Sequence, residues 1–75
     1  MDKETKAELN RLDNVFTYHA PKGDQAERYA DLRTDAKVLA AHIVMGCPAS
    51  RERSLALTKL EEAIFWANAS IARNE

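Results

Sequence analysis

One cysteine, two glycines and two prolines are all that the 75 residues hold of the types that staple or punctuate a small fold. A lone Cys47 excludes an internal disulfide. Neither Cys-x-x-Cys nor His-x-x-x-His spacing occurs, so a structural zinc site lacks its ligands. A single core of this size is only marginally stable, and with disulfide and metal gone the remaining support is oligomerisation. No charged leader runs into a short apolar stretch, and nothing approaches the roughly 18 apolar residues of a membrane span. These absences predict one soluble domain over residues 1–75 in the cytosol, away from membranes, with Cys47 reduced. A basic excess is missing too: the formal charge is −1 and the pI about 6.1. That argues against DNA or long RNA as a partner, because backbone grip needs clustered Lys and Arg. Small anions stay within reach, since they need only a few converging cations.

Catalytic groupings are equally scarce. His19 and His42 have no nucleophile or carboxylate at useful spacing. Glu61 and Glu62 are adjacent, hence about 100° apart on a helix, which is wrong for a paired acid and base. The glycosylation sequon Asn68-Ala69-Ser70 falls in the middle of a helical pattern and reads as accidental. Nothing here supports hydrolysis, group transfer or redox chemistry, and no cofactor is implied.

What is present is helix. Residues 3–14 carry Ala7, Leu9 and Leu12 as their apolar positions, enough for a short, mostly solvated helix. Asp24 and Glu27 have capping-box spacing ahead of a helix over 25–45, which Gly46 and Pro48 stop. Ser50 caps a last helix over 51–73. Two helices of about 22 residues, each roughly 33 Å long, joined by a four-residue turn, make an antiparallel αα-hairpin. The fold class is all-α, a short N-terminal helix plus a long hairpin, with no strand.

Projection at about 100° per residue gives each long helix a narrow apolar seam. One is Leu32, Ala36, Leu39 and Ile43; the other is Leu57, Leu60, Ile64, Ala67 and Ile71. Phe65 and Trp66 fall outside their seam on opposite flanks, and Ala56, Ala63 and Ser70 form a strip of small residues. Two large aromatics beside an alanine strip are too much apolar surface for a monomer, so a homo-oligomer built through the last helix is expected. Charge is sorted as well. Tyr29, Arg33 and Lys37 recur along one flank of the first long helix, while Glu27, Asp31 and Asp35 recur along the other. Like charges four apart cost a few tenths of a kcal/mol each, so the segregation fits an anion on the basic flank.

Between the first two helices lies Phe16-Thr17-Tyr18-His19-Ala20-Pro21-Lys22-Gly23, aromatic and basic with no periodicity. Pro21 holds Ala20 extended. Tyr18 and Phe16 offer faces for base stacking, with Lys22 and His19 nearby. The structural alternative is a staple, with Phe16 packed on the hairpin and Tyr18 covering it. Phe16 is read as structural and Tyr18 as ligand-binding.

This loop, together with Ser54-Leu55-Ala56-Leu57-Thr58-Lys59-Leu60-Glu61-Glu62-Ala63 and its continuation through Trp66-Ala67-Asn68 to Ile71-Ala72-Arg73-Asn74, resembles the phage anti-CBASS cyclic-nucleotide sponges. These share a hairpin domain with the anti-Thoeris sponges. The resemblance spans roughly residues 14–75, with the Cys-Pro turn between the two blocks. It implies a homohexamer in the host cell cytoplasm that sequesters cyclic oligonucleotide messengers without cleaving them. Cyclic dinucleotides such as cyclic GMP-AMP would lie between two protomers, with Tyr18 stacking on a base and Arg33 contacting phosphate; Lys22, Lys37 and His19 would assist. Cyclic trinucleotides would occupy separate sites, for which Arg73 and, on the preceding helix, Thr34 or Asp35 are the candidates. Two rivals remain: an oligomeric adaptor whose Tyr18 and Arg33 serve subunit contacts, and a phosphodiesterase, which lacks a visible metal cluster or nucleophile-base pair.

Overall fold

The computed structural model describes all 75 residues as three helices without a strand. Helix α1 runs Lys3–Phe16, α2 Gln25–Gly46 and α3 Arg51–Asn74. Asp2 starts α1 by accepting a hydrogen bond from the Thr5 amide. That helix outlasts the expected 3–14 by including Val15 and Phe16, because nothing between Asn14 and Thr17 breaks it.

The start of α2 differs from the capping-box expectation. The Asp24 side chain makes no cap bond and pairs at 3.1 Å with Arg28 one turn on. Gln25 braces the preceding turn instead: its Oε1 accepts from the Lys22 amide at 3.1 Å while its backbone amide donates to the Lys22 carbonyl at 3.0 Å. Gly23, at φ +56°, supplies the left-handed step this tight turn needs. At the other end Gly46 is still helical, and Cys47, extended and exposed, is the cap. Arg53 of α3 donates to the Val44 and Cys47 carbonyls, both at 3.2 Å, so a cation from the next helix satisfies the C-terminus of α2. Ser50 caps α3 as expected, accepting from the Arg53 amide.

The hairpin of α2 and α3 carries the packing, while α1 touches it only lightly, and the chain measures 53 × 31 × 13 Å. Leu57, Leu60, Ile64, Ala67 and Ile71 are half-buried along α3, as are Leu32, Ala36 and Ile43 along α2. Leu39 is exposed and Ala40 takes its place on the seam. Phe16 and Tyr18 are 82% and 83% exposed, so the staple does not form. Phe65 and Trp66 are each 68% exposed, and Ala56, Ala63 and Ser70 are exposed around them. No apolar side chain is fully buried; the one buried residue is Gln25. A chain this flat has a hydrophobic seam but no hydrophobic interior.

Candidate functional site

Three grooves mark the surface. The largest, about 610 Å³, runs along the hairpin over Ala36, Ala40, Leu57, Leu60 and Ile64, with Arg33, Lys37 and Glu61 at its edge. A second, about 390 Å³, lies at the open end of the hairpin, where α2 begins and α3 ends. His19, Tyr29, Arg33, Asn68 and Arg73 line it, over Ala69 and Ala72. The third, about 450 Å³, follows the outer side of α3 past Glu62, Phe65, Trp66, Ala69 and Arg73.

Helical spacing explains why these side chains converge. Tyr29 and Arg33 are one turn apart on α2, and Asn68 and Arg73 lie on the last turns of α3 that face them across the seam. The loop adds His19, whose Nε2 lies 2.8 Å from the Asn14 carbonyl. Asn14 in turn donates to the Arg73 carbonyl at 3.1 Å. His19 is thereby fixed to both α1 and the end of α3.

Charge decides between the grooves. The chain's ion pairs use Arg11, Arg28 and Lys59, which leaves Arg33, Lys37 and Arg73 without carboxylate partners. In the largest groove Glu61 stands beside Arg33 and Lys37, and in the third Glu62 stands beside Arg73. The second groove holds two guanidiniums, an imidazole and a phenol, with no carboxylate. Its charge suits a small anion.

The residues expected from the sequence are distributed accordingly. Arg33, His19 and Arg73 line the second groove together, and Arg73 also lines the third. Lys37 joins Arg33 in the largest groove. Tyr18 projects into solvent, and Thr34 and Asp35 are exposed and line no groove. Lys22 is turned elsewhere: its Nζ donates to the Glu75 carbonyl at 3.0 Å.

Glu75 is the feature that sequence reasoning missed. Its side chain takes a hydrogen bond from Gln25 Nε2 at 3.3 Å and a two-pronged ion pair from Arg28, one prong at 2.8 Å. The Arg28 bonds, and secondarily the Gln25 bond, hold the Glu75 carboxyl down at about 2 from an ordinary 4.5. A carboxylate whose folded pKa is depressed contributes stability that is complete above about 4.5 and is lost as pH falls through about 2. The contact should therefore persist at pH 4, and a carboxyl-detected NMR titration checks this: a Glu75 midpoint near 4.5 would contradict it. Fifty residues separate the partners, so no local pattern could have announced them.

A scan against protein-family models matches residues 8–72 to the Acb2/Tad1 hairpin domain. Searches of the curated proteins and of the solved structures returned no match. The matched span covers the loop, both long helices and every residue lining the second groove except Arg73. That family comprises phage anti-defence sponges for cyclic nucleotides, acts inside host cells, and binds without catalysis. A helical hairpin with an unneutralised basic groove at its open end, matched over all but its outermost residues, places this chain in the Acb2/Tad1 hairpin-domain family.

Proposed function

We propose that the protein sequesters cyclic oligonucleotide messengers, cyclic dinucleotides such as cyclic GMP-AMP first among them, and so keeps them from CBASS effectors in the cytoplasm of the host cell. The observation that carries this reading is the pair of unpaired guanidiniums, Arg33 and Arg73, sharing one groove with Tyr29 and His19 and no carboxylate. Neither guanidinium has a carboxylate partner within the chain, which leaves both available to an anion.

The working unit in this reading is a homo-oligomer, a hexamer by family resemblance. Two copies of the loop and groove would close on a dinucleotide with two bases and two phosphates, the arrangement that a two-fold interface offers. Tyr18, extended into solvent in the single chain, is then the residue that reaches a base on the ligand. Lys37 lends charge from the adjoining groove. Cyclic trinucleotides would use Arg73, with Thr34 and Asp35 from a neighbouring copy. Messenger is held intact, because release and not hydrolysis ends the encounter.

The test is direct. Protein is mixed with cyclic GMP-AMP, loss of free ligand is measured, the protein is digested with proteinase, and the released nucleotide is analysed. Depletion followed by recovery of intact ligand supports sequestration. Linear product would make the protein a phosphodiesterase, and no depletion across a panel of cyclic di- and trinucleotides would leave the adaptor. In the same assay Tyr18→Ala should lose about 1–3 kcal/mol per stacked base while its sedimentation stays that of the wild type. Dissociation of that variant would move Tyr18 from ligand to interface.

A further inference from the structure

The residues that hold the aromatic loop are not those that line the groove. Gln25, at 4% exposure, is the one buried residue in the protein, and it is polar. Both ends of its amide are used: Oε1 holds the Lys22 backbone amide and Nε2 reaches Glu75. Lys22 Nζ and the Arg28 guanidinium converge on the same Glu75, from the loop and from α2 respectively. Arg28 also pairs with Asp24, at the last position before α2. The Lys22 end of the loop is thus clasped to the end of α3, while the His19 end is tied through Asn14 to Arg73.

We propose that Glu75 is a positioning residue for ligand binding: through Gln25, Arg28 and Lys22 it presets the loop that carries Tyr18 and His19. The proposal rests on the sponge reading given above. Lys22 belongs to this clasp and not to the ligand. A loop ordered in advance spares the ordering cost that otherwise erodes affinity, and a ligand that must be held at low concentration gains most from that. The Arg28–Glu75 pair is charge-assisted and two-pronged, the kind that fixes geometry as well as proximity. Without them, the Pro21-Lys22-Gly23 stretch loses its tie to α3, and Tyr18 searches more conformations before it meets a base.

The experiment uses the full chain with Glu75→Gln, which keeps the shape and removes the charge, and separately Arg28→Gln, which removes the other half of the same ion pair. Two readouts are taken: amide hydrogen exchange over residues 17–24 without ligand, and cyclic GMP-AMP affinity with association and dissociation rates. The expected result for Glu75→Gln is at least tenfold faster exchange in the loop. Helix content and assembly are unchanged, and affinity falls about tenfold through slower association. Arg28→Gln gives the same two changes, because it removes the same ion pair from the α2 side. Unchanged loop exchange in Glu75→Gln overturns the clasp. A loosened loop with wild-type affinity and association rate overturns the positioning role, as does a loss of affinity in either variant while loop protection stays at the wild-type level. Should the wild type bind no cyclic nucleotide, the sponge reading falls and takes the positioning role with it, while the exchange data still decide the clasp.

Discussion

Replacing Arg33 by alanine is expected to cost more cyclic GMP-AMP affinity than any other single change in the groove, on the order of a thousandfold. Arg33 is the one cation that lines both the groove at the open end of the hairpin and the long groove beside it. It has no carboxylate partner inside the chain to give up. A hydrogen bond to a charged group contributes about 1.5–3 kcal/mol. A pocket closed by two copies loses two such contacts, or about 4 kcal/mol, which corresponds to roughly three decades in Kd. Lys37→Ala should cost less than about tenfold, since Lys37 is exposed and shares its groove with Glu61. Titration calorimetry on both variants gives the comparison, and equal losses would show that only net charge matters. Because Arg33 is exposed on its own helix, its removal leaves the hairpin seam untouched, and helix content and assembly should not change.

In the homo-oligomer proposed above, Trp66→Ala is expected to shift dissociation by two decades or more in concentration, and to unfold the chain where it dissociates. Phe65 and Trp66 are each 68% exposed on the single chain. An aromatic side chain that buries about 150–250 Å² when covered, at ~25 cal/mol per Å², has about 3 kcal/mol to gain from covering the part now exposed. Coupling to folding follows from the interior: no apolar side chain is fully buried within the chain, so a free protomer has little to set against the entropy of ordering its backbone. Sedimentation velocity with circular dichroism over a dilution series reads both effects. A variant that dissociates into a stably helical monomer would refute the coupling, and one that keeps its assembly at every dilution would remove Trp66 from the interface.

Much of the hairpin was legible because helices announce themselves locally. Ser50 three residues before Arg53, the absence of any breaker between Gln25 and Gly46, and the spacing of Leu57, Leu60 and Ile64 all act within one or two turns. Errors occurred where a local rule had a distant competitor. The capping-box spacing points to Asp24 as the cap of α2, but its carboxylate pairs with Arg28, and Gln25 ties the turn ahead of the helix to Glu75. Phe16 was expected to staple the loop to the hairpin, but α1 continues through it and carries the ring outward. Leu39 yielded its seam position to Ala40, one residue on and about 100° round the helix.

The candidate site divides in the same way. The sorting of Tyr29, Arg33 and Lys37 onto one flank is a property of a 3.6-residue period, and the sequence alone determined it, together with the all-α hairpin and the surplus of apolar surface on its last helix. Only the tertiary structure decided that Arg73 faces Arg33, that Lys22 and Arg28 turn to Glu75, and that the groove between them contains no carboxylate. Periodicity fixes which residues share a face of one helix. Which residues share a groove depends on how two helices are set against each other and where a loop is tied down, and those are sums over contacts some fifty residues apart that no local pattern encodes.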